Sequence, residues 1–129
     1  MRLWHQSLIS RLPRQQLLGQ HRECCAMRGL GWGKKHSVVN YVFDHPYYWL
    51  YLYHDRVMRE MNRRGFKIDS DWFWFNYRGK QLGFDESDFT RGDKTNLPFS
   101  LAQIYPEHDE KYLTECLENL KRKGVEIHV

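Results

Sequence analysis

The sequence predicts an all-α fold, and three observations carry that prediction. Three stretches repeat apolar residues at 3–4 spacing, as the buried stripe of a helix requires. Each stretch ends at a glycine, the residue that most readily closes a helix. The aromatic-rich segment between the second and third reads as a cap on a helical core, although a short strand at 72–77 would also suit its rings. At 129 residues the chain has the length of one domain. Residues 1–129 are read as that domain, with a basic head at 1–36, core helices at 46–64 and 109–123, and an irregular aromatic segment at 70–106.

The first helix spans roughly Pro13 to Met27. Proline suits its first turn, Leu17, Leu18, His21, Cys24 and Cys25 form a semi-apolar face, and Gly29 can end it. Gly19 inside it costs about 1 kcal/mol relative to alanine and hints at close packing or a close ligand. Gly29, Gly31 and Gly33 then alternate in a loop that runs into Lys34-Lys35-His36. The loop lacks the Gly-Lys-Ser/Thr ending of a nucleotide-binding P-loop. Asp44-His45-Pro46 forms a turn that opens the second helix, whose inner stripe is Leu50, His54, Val57, Met58 and Met61. Gly65 stops it.

Trp72 to Tyr77 follow, then a loop rich in Gly, Asp and Asn up to Pro98. Stacking on nucleobases is the sharper reading of these rings, and core packing the commoner one. The last helix places Tyr112, Leu113, Cys116, Leu117 and Leu120 inside and stops at Gly124. The endings Arg63-Arg64-Gly65-Phe66-Lys67-Ile68 and Arg122-Lys123-Gly124-Val125-Glu126-Ile127 share one helix-stop pattern, which is weak ground for a duplication.

Charge separates the head from the rest. The formal net charge is +4, but through His36 seven bases face a single acid, a local charge of +6. The remaining 93 residues hold 13 bases and 15 acids, a charge of −2. Such a head suits a phosphate-bearing partner. With 41% apolar and 16% aromatic residues, disorder is excluded and a real core can form. No apolar run approaches the ~18 residues of a membrane helix, and the start lacks the pattern of a secretory signal. Three cysteines without a CxxC favour a reducing cytoplasm over a disulfide framework or zinc knuckle. No two histidines of the head, His5, His21 and His36, stand at i, i+4, so a metal site is not expected there.

Glu23 is the only acid in the head, with Arg22 beside it. Nearby positive charge favours a carboxylate, available as a base or as a partner for a developing cation. A helix-surface glutamate paired with a base is the simpler reading of that residue alone. No Ser elbow is present, and nothing identifies a base for Cys24 or Cys25.

Gln15, Leu17, Leu18, Arg22 and Glu23 stand in the order and spacing of the catalytic helix of the pyrimidine-dimer DNA glycosylases, and the segment resembles that phage endonuclease V family. Gly33-Lys34-Lys35-His36 is similar to the family's next basic stretch. Arg64-Gly65-Phe66-Lys67-Ile68 is similar to the end of its long second helix. The likeness covers about residues 1–69.

It implies a mostly helical protein without metal or cofactor that acts as a monomer on damaged double-stranded DNA. The implied reaction is base excision with AP lyase nicking, through an imine at the N-terminal amine. Arg2 disfavours removal of the initiator, so Met1 would supply that amine and Glu23 its carboxylate partner. Arg2, Arg22, Lys34, Lys35 and His36 would hold phosphates, with Gln15 supporting the site. Ala26 stands where the phage enzyme has a DNA-contacting arginine. A DNA-binding module without catalysis, or a protein-interaction domain with a basic face, are the competing functions.

Overall fold

Helix-starting and helix-stopping residues set the architecture of the computed structural model, which describes residues 2–35, 38–91 and 96–127. Its helices are α1 (Arg14–Arg28), α2 (Tyr47–Arg63), the single turn α3 (Asp88–Arg91) and α4 (Glu110–Arg122). Short 3-10 turns occupy Gln6–Arg11, Asn40–Asp44 and Ser70–Phe73. Among the described residues there is no strand, only isolated bridges at Tyr77–Phe84 and Ser100–Gln103. The fold is all-α.

Pro13 and Pro46 stand immediately before α1 and α2, where a missing N–H leaves no bond unmade. The Asp109 side chain caps α4 by accepting from the Tyr112 N–H at 2.8 Å. Both α2 and α4 end in the same way. Phe66 N–H returns to Met61 O at 3.0 Å and Gly65 N–H to Asn62 O at 3.0 Å, with Gly65 at φ +86°. Val125 and Gly124 repeat that pattern on Leu120 and Lys121, with Gly124 at φ +82°. The likeness between the two helix ends is thus one capping motif used twice.

The core lies where α1 and α2 pack together. Leu17 and Cys24 of α1 meet Leu50, Tyr53 and Val57 of α2, all at zero exposure, and Cys116 and Leu120 close the core from α4. The expected α2 stripe is buried throughout, His54 included. Each large apolar side chain so buried contributes about 1.5–3 kcal/mol against remaining exposed.

The aromatic segment takes its shape from a buried cation. Arg28, at zero exposure, donates to Trp72 O (2.8 Å), Trp74 O (2.8 Å) and Tyr77 O (3.1 Å). It also donates to Tyr47 Oη at 3.1 Å and His54 Nδ1 at 2.9 Å. Tyr47 Oη donates to Tyr77 O as well, at 3.2 Å, while the guanidinium supplies the donors for the Trp72 and Trp74 carbonyls. Residues 70–77 therefore wind around a guanidinium, and the strand alternative at 72–77 gives way to a 3-10 turn and one bridge. Trp74 stays 61% exposed while Tyr77 is buried.

Several histidines are folded into this interior as neutral groups. His108 accepts from Gln6 N–H at 3.2 Å and meets Tyr41 Oη at 2.7 Å; burial pulls its pKa down to about 3. Burial also lowers His54 strongly and His21 more mildly. The unfolded chain takes up protons at these groups near pH 6.5 whereas the folded chain does not, so stability falls as pH drops below that value. The unfolding free energy from urea titration is expected to be flat above about pH 7 and to decline below about 6, by up to about 1.4 kcal/mol per pH unit for each histidine that stays neutral in the folded chain. His108→Gln should flatten that decline by one proton. An unfolding free energy constant from neutrality into this acid range would contradict the account.

Candidate active site

The start of the chain is held by side chains where a neighbouring strand would ordinarily hold it. Residues 2–5 belong to no helix or ladder, yet Leu3 and Trp4 are buried. Their backbone groups therefore need partners inside the protein. Gln20 on α1 supplies two of them. Its Oε1 accepts from Trp4 N–H at 2.7 Å, and its Nε2 donates to Arg2 O at 2.9 Å. Only this orientation of the carboxamide fits both partners.

Other helices complete the clamp. Tyr53 Oη of α2 lies 2.6 Å from Trp4 O and 2.9 Å from Gln20 Oε1, so its one proton faces two acceptors. Tyr112 of α4 donates to Leu3 O at 2.6 Å, and His5 N–H donates to Cys116 Sγ at 3.4 Å. Gln6 N–H is taken by His108, as described above.

Glu23 sits one helical turn beyond Gln20. Gln20 Nε2 donates to its Oε2 at 3.2 Å, and the Arg2 peptide N–H points to the same oxygen at 3.5 Å. The carboxylate is partly buried in a pocket of about 240 Å³ that Arg2, Trp4, Val38, Asn119 and Lys123 also line. Arg2 lays its guanidinium over the Tyr112 ring, 5.7 Å from the centroid. A carboxylate between an arginine and a lysine, in a pocket with a polar wall, can stabilise a developing cation or accept a proton.

The structure brings Arg2 and Glu23 together. Arg22 is exposed on the outer side of α1, and Lys34 and Lys35 are exposed in the turn that follows it. Gln15 is exposed too, about two turns before Glu23; the glutamine that touches the carboxylate is Gln20. Met1 and His36 lie outside the described residues. Gln20, Asn119 and Lys123 escape a sequence reading of the head, the last two because α4 and the residue that caps it bring them from the other end of the chain. The ligand expectation at Gly19 meets only Arg22, whose Nη2 would stand 3.7 Å from an added Cβ.

The cysteines do not offer a nucleophile. Burial pushes the Cys25 thiol up to about 12 and raises Cys24 well above its usual value, and a protonated thiol is a poor nucleophile. Cys25 does join His21 and His54 in a cluster whose ligand atoms lie within 4.8 Å of one another. Histidine spacing alone does not reveal it, since the i+4 partner is a cysteine and the third member comes from α2. Arg28 decides its chemistry. A guanidinium only donates, so His54 Nδ1 is an acceptor and Nε2 carries the proton. That N–H points to His21 Nδ1 at 2.8 Å. The nitrogen a metal would need is thereby protonated, and the cluster is a directed hydrogen-bond chain from Arg28 through His54 to His21.

The family model described as pyrimidine dimer DNA glycosylase matches residues 1–73. No curated protein and no solved structure matches the chain.

Gln20→Met should remove the clamp while keeping the volume of the side chain. It leaves Trp4 N–H and Arg2 O without their partner, at a cost of about 1–3 kcal/mol for each buried group. Urea unfolding should show that loss, and hydrogen exchange at the Trp4 amide should accelerate beyond the change in global stability. Unchanged protection at Trp4 would show that Gln20 does not hold the chain start.

Proposed function

The chain belongs to the pyrimidine dimer DNA glycosylase family, and from that premise we propose that it excises a damaged pyrimidine from double-stranded DNA through an imine at its N-terminal amine and then nicks the strand as an AP lyase. The observation that carries this reading is the 3.5 Å separation between the Arg2 peptide nitrogen and Glu23 Oε2. Met1 is bonded to that nitrogen. An α-amine has a reference pKa of about 7.7–8.0, so a useful fraction is unprotonated near neutrality.

In the proposed sequence the lone pair of the Met1 nitrogen forms a bond to C1′ of the damaged nucleotide. The glycosidic C–N bond breaks, and its electron pair leaves with the base, which takes up a proton. Loss of a proton from nitrogen and opening of the sugar ring give the C1′=N imine. Glu23 stabilises the positive charge that develops at C1′ and accepts the C2′ proton in the elimination that expels the 3′ phosphate. Arg2, Arg22, Lys34, Lys35 and His36 grip phosphates around the lesion, and Gln15 supports that surface from the first turn of α1. Gln20 serves as a positioning residue, since it holds the chain start and the carboxylate together.

Untagged protein should yield a covalent adduct when borohydride is added to an abasic-site duplex or a pyrimidine-dimer duplex. In Glu23→Gln the rate of trapping and of strand nicking should fall by roughly 100-fold or more, the scale of a lost general base. Acetylation of the amine should abolish both and leave DNA binding. If untagged protein binds both duplexes and traps neither, a non-catalytic DNA-binding module replaces the enzyme.

A further inference from the structure

A second, larger groove of about 520 Å³ lies beside the C-terminal half of α1. Ala26, on its near edge, is one helical turn from Glu23. Gly29, Leu30 and Gly31 form one wall, and the turn at Gly79-Lys80 with the Trp72 ring forms the other. Residues 78–81 lie past the segment matched by the family, which ends at 73.

Three features define what this groove can accept. Its glycine wall packs directly on the end of α1: a Cβ on Gly31 would come within 2.7 Å of Ala26 O, and one on Gly29 within 3.1 Å of Arg78 O. Lys34 and Lys80 are exposed on opposite rims, and none of the residues lining the groove is acidic. Finally, both rims are fixed in place. Arg78 donates from Nε to Arg28 O at 3.0 Å and from Nη2 to Gly29 O at 3.2 Å, fastening the turn to the end of α1. The turn itself is closed by Arg78 N–H to Gly83 O at 2.9 Å and Asp85 N–H to Asn76 O at 2.8 Å. Arg78 is spent on that joint and on Asp85, so the lysines are the groups that face a ligand.

We propose that this groove binds the sugar–phosphate backbone of one DNA strand, with Lys34 and Lys80 on opposite rims each neutralising a phosphate. The inference rests on DNA being the substrate. The two lysines suit an anionic partner, and the place of Ala26 one helical turn from Glu23 on α1 favours the strand that carries the lesion over an acidic peptide. The turn at 78–83 thereby extends the footprint of the basic head, using a cation from the part of the chain that is acidic overall.

The test uses the untagged full chain and a duplex carrying a tetrahydrofuran abasic analogue, which binds without being cleaved. Log Kobs is measured against log salt between roughly 50 and 200 mM. Lys80→Gln should bind more weakly at low salt and lose about 0.9 from the slope, one phosphate's worth. Lys80→Arg should keep the slope, because charge is what counts. A wild-type slope in Lys80→Gln, or a loss seen only with a polyglutamate peptide, would overturn the proposal. Failure of the enzymatic reading looks different: the wild-type protein would give no borohydride adduct, while the Lys80 dependence of DNA binding would persist.

Discussion

Residues 2–6 enter the interior without a strand to pair with, and that constraint shapes the rest of the structure. Each buried N–H or C=O left unpaired costs about 1–3 kcal/mol, so a coil in the core needs partners from elsewhere. They come from three helices: Gln20 of α1, Tyr53 of α2, and Tyr112 and Cys116 of α4. His108 adds a further one just before α4. Five side chains from elsewhere in the chain are thus spent on holding one short segment. The first described residue of that segment rests at Glu23, so the fold and the candidate chemistry depend on the same bonds.

Arg28 plays a corresponding part at the other end of α1. A fully buried guanidinium is expensive unless its donors are met. Here the carbonyls of Trp72, Trp74 and Tyr77 meet them, with His54 and Tyr47. The 70–77 segment has little regular structure of its own, and this coordination gives it a defined course. The same helix end receives Arg78, which sets the wall of the second groove. One helix therefore organises both surfaces: Gln20 and Glu23 at its middle, Arg28 and the glycine turn at its end.

The parts of the fold set by local signals were legible in the sequence. Pro13, Pro46, Gly65 and Gly124 mark the starts and stops of helices, and the 3.6-residue stripe of α2 names its buried face correctly, His54 included. In α1 the stripe has Leu17 and Cys24 right, but Leu18, His21 and Cys25 are only half-buried, while Gln20, Met27 and Arg28 are buried in their stead. Glu23 stands out because it is the only acid in a basic head, and the family likeness over about residues 1–69 agrees with the matched segment, 1–73. What escaped reading depends on distant contacts. Gln15 and Gln20 are equally plausible from composition, and only the placement of Arg2 and Trp4 distinguishes them. Asn119 and Lys123 reach the Glu23 pocket across nearly the whole length of the chain. The course of the aromatic segment is set by an arginine more than 40 positions earlier, which no local pattern encodes.

Arg2 is held against Glu23, and the proposed reaction makes the preceding amine the nucleophile. Peptide mapping of the borohydride-reduced protein–DNA adduct by mass spectrometry tests this most directly. The account predicts the sugar remnant on the α-nitrogen of Met1. A remnant on the side chain of Lys34, Lys35 or any other lysine would contradict it.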